Sequence, residues 1–305
     1  MKRYPQCLLG TCCVPWNEDG SFAEQVFRGQ IQHLLKNGTQ HLYIFGSAGE
    51  GYAVTDMQFN RITEVFCEEM NAEGAAPMVG VISASLPTIT QRIKWARELG
   101  VKEYQIALPC WGQCTFDEVR RFFGETCGEF DDCSFLHFNS PHAKRMVTAD
   151  EYAMLADEFG NLVATKNIID SVREVTLLLK KSPQLQHFFM EHGFALASIL
   201  GLEAGWIIAL ASTNWQRANA FYQACMHRNI EQITGYMIEL VQMENALYNL
   251  VGDQGHIDGV YDKIFCNIAD SDFSLRLLPP YNYVSDETVG KYVAFLRNSY
   301  PQWIS

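Results

Sequence analysis

Several absences narrow this chain before any motif is read. It has 23 lysines and arginines against 35 aspartates and glutamates, a net charge of −12, and no run rich in basic residues. The electrostatic footprint that a phosphate backbone requires is missing, so nucleic acid is set aside as a partner. No apolar stretch approaches the roughly 20 residues of a membrane-spanning helix. The opening Met1-Lys2-Arg3-Tyr4-Pro5-Gln6 shows no signal-type cleavage pattern, and a soluble, cytoplasmic protein with no membrane partner is expected. Ten cysteines are scattered without a CxxC pair or a Cys/His spacing of the zinc type. They read as small buried thiols in a reducing compartment.

What is present is core material and a repeat. The 305 residues are 48% hydrophobic and 12% aromatic, enough to bury a substantial interior. Ser or Thr followed three residues later by Glu or Gln marks helix starts at Ser21/Glu24, Thr55/Gln58, Thr115/Glu118, Thr148/Glu151 and Ser171/Glu174. Gly38 and Gly100 close two of these helices. Short apolar runs lie between them: Leu42 to Phe45, Met78 to Ile82, Tyr104 to Leu108, Phe135 to Phe138, Leu162 to Thr165, Phe188 to Met190 and Trp206 to Leu210. Runs this short and this apolar suit parallel strands buried on both faces. With Cys7 to Val14 they make eight strands alternating with helices, which predicts an α/β fold, a (β/α)8 TIM barrel, over residues 1–228. Residues 229–305 read as a C-terminal helical extension, with helices through Tyr236 to Leu250, Val260 to Ala269 and onward from Ser285, their charges read as solvated faces.

A barrel of this kind carries its chemistry at the C-terminal ends of its strands. The candidates there are Gly46-Ser47-Ala48-Gly49-Glu50 after the second strand, Cys110-Trp111 after the fourth, Phe138 ending the fifth, Lys166 ending the sixth, and Glu191-His192 after the seventh. Alternation puts Lys166 on the same side as Leu162 and Ala164. If that side is the lumen, desolvation lowers the pKa of the amine and frees it to attack a carbonyl. The glycine-rich turn can offer backbone N–H groups and the Ser47 hydroxyl to an anion. A metal-dependent barrel would need Asp, Glu and His at several strand ends, and only Glu191-His192 stand together, so neither metal nor other cofactor is expected.

In order and spacing, Gly10-Thr11, Pro15, Asn17-Glu18-Asp19-Gly20-Ser21, Gly46 to Glu50, Lys166, Gly205-Trp206-Ile207-Ile208 and Leu277-Leu278-Pro279-Pro280 resemble the dihydrodipicolinate synthase and N-acetylneuraminate lyase family. The resemblance implies a Schiff-base lyase in which the strand-2 turn holds the carboxylate of a pyruvate-like 2-oxo acid and Lys166 forms the imine. It implies substrate contacts at Ser47, Ala48, Trp111, Phe138, Glu191 and His192, and a homotetramer built as a dimer of dimers. The chain departs from the family at the strand-5 tyrosine, here Phe138, whose ring can neither give nor take a proton. Ala48 replaces a second hydroxyl, Cys110-Trp111 replaces a tyrosine pair, and Ala143 falls where the synthase branch has an arginine, with Arg145 nearby. His142, Lys144, Glu191 and His192 are then the candidate proton carriers. The alternative to an enzyme is a catalytically weakened barrel that binds a 2-oxo acid or sugar acid in a regulatory role.

Overall fold

Threonine caps start three of the barrel helices. Thr55, Thr115 and Thr148 each accept from the backbone N–H three residues on and donate their own backbone N–H to the side-chain oxygens of Gln58, Glu118 and Glu151. Ser171 caps in the forward direction, and Ser85, which lacks the acidic or amide residue three positions on, caps a helix with proline in its first turn. Ser21 does not cap. Its backbone N–H goes to Asp19 and its hydroxyl receives Asn17, because residues 17–21 form the tip of a turn closed by a Trp16–Phe22 bridge; Ala23 precedes that helix instead. Gly38 and Gly100 follow their helices at φ of 89° and 87°, the left-handed conformation a glycine adopts without strain.

The computed structural model describes residues 2–252 and 256–304. The strands are β1 Leu8–Thr11, β2 His41–Ile44, β3 Pro77–Gly80, β4 Glu103–Ile106, β5 Ser134–Asn139, β6 Leu162–Asn167, β7 Gln186–Phe189 and β8 Gly205–Ile207. Each pairs in parallel with the next, and β8 pairs with β1 to close the barrel. Helices α1 Glu24–Lys36, α2 Asp56–Ala72, α3 Leu86–Glu98, α4 Phe116–Phe123, α5 Ala149–Glu158, α6 Val172–Lys181, α7 Glu191–Ile199 and α8 Trp215–Met226 follow strands 1 to 8 in turn. Three more complete the chain: α9 Ile230–Val251, α10 Asp258–Ala269 and α11 Asp286–Ser299. No helix among the described residues is long and apolar enough to cross a membrane.

Seven strands fill the lumen with Leu9, Tyr43, Met78, Leu136, Ala164, Phe188 and Ile207, while Tyr4 and Cys7 join them from the N-terminal side. Gly205 leaves room for this filling, since a Cβ there would sit 2.4 Å from the Phe188 ring. The larger apolar cluster, with Leu42, Ile44, Tyr104 and Phe135, lies between barrel and helices. His137 points outward as its register predicts, bonded to the Tyr152 hydroxyl of α5 at 2.7 Å.

Strict alternation along β6 does not hold. Phe135 pairs with Leu162 but Leu136 pairs with Ala164, so Val163 is an extra residue in the ladder. Leu162 therefore faces the helices rather than sharing the side of Lys166. Val163 and Ala164 both join the lumen cluster, and Lys166 follows Ala164 inward.

Candidate active site

The site begins at a kink. Phe45 has φ of 58°, the left-handed region that a bulky residue seldom adopts, and it throws residues 46–50 across the end of the barrel. The neighbouring chain makes room for it, since a Cβ on Gly80 would meet the Phe45 carbonyl oxygen at 2.3 Å. Arg92 of α3 holds the far side of the turn, donating to the carbonyls of Gly51 at 2.8 Å and Val54 at 3.2 Å. Among the described residues, neither the Ser47 nor the Ala48 backbone N–H donates to a backbone acceptor. Two donors at the mouth of the barrel are therefore left for a ligand oxygen.

Lys166 reaches into the lumen and is 6% exposed. Its Nζ donates to the Tyr43 hydroxyl at 3.0 Å, and the Thr11 hydroxyl donates to the same oxygen at 2.6 Å. The Phe138 ring centroid lies 4.2 Å from Nζ. Burial pulls the pKa of the amine down, but the Tyr43 oxygen and the α10 carboxylates Asp258 and Asp262 outweigh it and hold Lys166 above the ordinary lysine value. The direction is thus opposite to the expected depression, first because the strand-borne Tyr43 oxygen favours the charged amine and then because Asp258 and Asp262 add negative charge from α10.

Those helices are the second correction. Asp258, Asp262 and Lys263 of α10 do not form the solvated face expected of them: both aspartates line the cavity and Lys263 is fully buried. Lys263 donates to Glu50 at 2.6 Å and to the Arg276 carbonyl, while the Glu50 carboxylate also receives Trp16 at 2.7 Å and the Leu278 N–H at 2.6 Å. Glu50 therefore pins α10 and the 276–278 segment to the strand-2 turn. Burial works against ionisation of Asp258, but His142, the Ser47 hydroxyl and Lys166 overcome it and hold this carboxyl below the usual range. His142, 3.7 Å away, is raised in return by its bond to Asp258. Asp262 has no hydrogen-bond partner among the described residues; burial and the Asp258 charge push it up to about 7.

The resulting cavity, about 370 Å³, is lined by Ser47, Ala48, Phe138, Lys166, Glu191 and His192 among the anticipated residues. Trp111 is not there. It is 87% exposed on a loop that runs outward after β4, where its carbonyl accepts from Lys144 at 2.8 Å. Lys144 is thereby held on the same outer loop. Glu191 has its carboxylate committed to the backbone N–H groups of Ala209 and Ala211, at 2.9 and 3.1 Å, fixing the chain after β8. His192 lies 3.5 Å from Glu244 of α9. Arg145 is paired with Glu151 and the Cys114 carbonyl and does not line the cavity. Thr11, Tyr43, Asp258 and Asp262 join the site without having been anticipated. Only Tyr43 carries a readable signal: a hydroxyl-bearing side chain at the inward position of a strand ending in the glycine-rich turn. No group of three or more His, Cys, Asp or Glu side chains among the described residues is arranged to hold a metal.

The C-terminal end of a closed parallel barrel thus brings together an amine, a phenol and a glycine-rich turn, where barrel enzymes of this fold carry their active sites. The chain belongs to the dihydrodipicolinate synthetase family, which it matches over residues 5–287. It is 24% identical over 282 residues to an uncharacterized DapA-like lyase of Thermococcus onnurineus, covering 90% of this chain and 92% of that one. With the N-acetylneuraminate lyase of Fusobacterium nucleatum it shares 23% identity over 268 residues, 83% of this chain and 88% of the other. In fold it is similar to YagE, a prophage protein of E. coli K12 solved in complex with pyruvate, with a TM-score of 0.83 and 18% identity over 96% of this chain and 98% of that one.

Proposed function

We propose that this protein is a class I lyase in which Lys166 forms an imine with the keto carbon of a 2-oxo acid. The observation that carries this reading is the placement of the Lys166 amine, buried in the lumen and hydrogen-bonded to a phenol, on the wall of the cavity that the strand-2 turn also lines. The free N–H groups of Ser47 and Ala48 suit the carboxylate of the substrate, and the imine draws electrons from a bond beside the former carbonyl so that it breaks. A cavity of about 370 Å³ suits a small ligand. Lys166 is the one lysine or arginine among the described residues that line it, so a second carboxylate on the substrate would find no lysine or arginine among them to pair with.

Mass spectrometry tests the reading. Pyruvate with cyanoborohydride leaves a stable adduct on the wild type and none on Lys166→Ala, since only a primary amine there forms the reducible imine. A wild type that takes no label from pyruvate or from a panel of 2-oxo acids removes the proposal. Ligand-induced thermal stabilisation without adduct or turnover would mark the non-catalytic binder. We also infer a cytoplasmic homo-oligomer, from the free state of all ten cysteines and from the exposed Trp111 indole, which is better covered by a partner chain. Light scattering at micromolar concentration should report more than one chain per particle; a monomer would refute that part.

A further inference from the structure

Imine formation moves hydrogens as well as electrons. With its amine held above the ordinary lysine value, Lys166 enters as an ammonium. The protonated imine keeps one of the three hydrogens on nitrogen, and the other two leave with the substrate oxygen as water. The nitrogen–carbon bond forms, the carbon–oxygen bond breaks, and the net charge is unchanged. Two protons must therefore cross from nitrogen to oxygen. Phe138, over the amine at 4.2 Å, cannot carry them. Glu191 is committed to two backbone N–H groups, and Asp258 to Ser47 and His142. The side chain in hydrogen-bond contact with Nζ is Tyr43, on the opposite part of the barrel wall.

We propose that Tyr43 is the proton carrier of imine formation, a catalytic residue held in place by Thr11 and doing from β2 what no group on β5 can do here. This rests on the imine reading above. The phenol accepts a hydrogen from the Lys166 nitrogen and passes its own to the substrate oxygen, once as the carbon–nitrogen bond forms and once as water departs. It ends each exchange as it began. Three features fix its geometry. Tyr43 is fully buried, its backbone lies in a closed sheet, and the Thr11 hydroxyl donates to its oxygen at 2.6 Å, leaving the phenolic hydrogen free to turn toward amine or substrate. Thr11 is a positioning residue. It touches the carrier, and both side chains line the cavity.

The test is the rate at which the whole protein is labelled by pyruvate with excess cyanoborohydride, where imine formation limits. Tyr43→Phe, which removes one oxygen and keeps the ring, should label Lys166 about 10²–10⁴-fold more slowly, the usual cost of losing a general acid–base group. Adding Phe138→Tyr should recover part of that rate, because a phenol at 138 would again stand over the amine. Thermal melting checks that each variant is folded. Wild-type labelling by Tyr43→Phe overturns the proposal. So does a slow, folded Tyr43→Phe that the phenol at 138 leaves slow, since the effect would then be one of packing. A wild type that takes no label is a different failure, which removes the imine itself.

Discussion

The two walls of the cavity are built differently. The strand wall carries Thr11, Tyr43, Phe138 and Lys166, each fixed by a closed hydrogen-bonded sheet, and its polar atoms are bonded in series. The helical wall carries Glu244, Asp258 and Asp262, all acidic, borne on α9 and α10. The strand wall holds its amine and, through the Tyr43 oxygen, most strongly favours its charged form, whereas the helical wall adds to that charge from outside. A barrel chemistry can therefore be kept on the strands while the helices change the field in which it works.

The attachment of the helical wall gives the largest expected effect. Glu50 and Lys263 are both fully buried, and a buried pair broken on one side leaves an uncompensated charge. Glu50→Gln should destabilise the protein by about 3–5 kcal/mol in equilibrium urea unfolding, with Glu50→Gln/Lys263→Met recovering much of the loss. If the single variant unfolds like the wild type, α10 is held by apolar packing and the contrast between pinned and hydrogen-bonded walls fails.

Next is a dependence on pH belonging to the helical wall. Asp262 holds its proton up to about 7 when folded, against about 3.9 in an unfolded chain. Between those values the folded state binds more protons, so this group's contribution to stability falls as pH rises from about 4 to about 7. Asp262→Asn should flatten that part of the stability profile and leave the protein more stable than wild type at pH 8. Parallel profiles for the two proteins would show that Asp262 ionises freely in the cavity.

The smallest effect concerns substrate charge. Labelling by a dicarboxylic 2-oxo acid should be slower than by pyruvate, and Asp262→Asn should narrow the gap by up to about tenfold, or about 1.4 kcal/mol. An unchanged ratio would mean that the far carboxylate never meets the helical wall.

The sequence shows the two walls unequally. Capping pairs and apolar runs predict the eight-stranded barrel, because helix ends and buried strands are decided locally. Lys166 is findable because a charge closing an apolar run is conspicuous. Tyr43 is hidden inside Leu42 to Phe45, where an aromatic reads as core and only its inward register distinguishes it. Asp258 and Asp262 are opaque for another reason: four apart on a helix, they look like any solvated face, and nothing local says that the face lies over a barrel mouth. Trp111 misleads in the opposite direction, since position after a strand does not say whether a loop turns inward.

The extra residue in β6 decides more than the twist of one strand. From Leu162, which faces the helices, strict alternation would send Lys166 outward as well; the unpaired Val163 shifts the count and brings the amine inside. The placement of the amine is thus a matter of parity. A chain one codon shorter, lacking Val163, would pair Leu162, Ala164, Thr165 and Lys166 with Phe135 to Phe138 as one regular ladder and still hold its lysine inside. What would turn the amine outward is the same set of residues paired in strict alternation from Leu162, so the register of this strand, and not the lysine alone, decides which relatives present a lysine to the lumen.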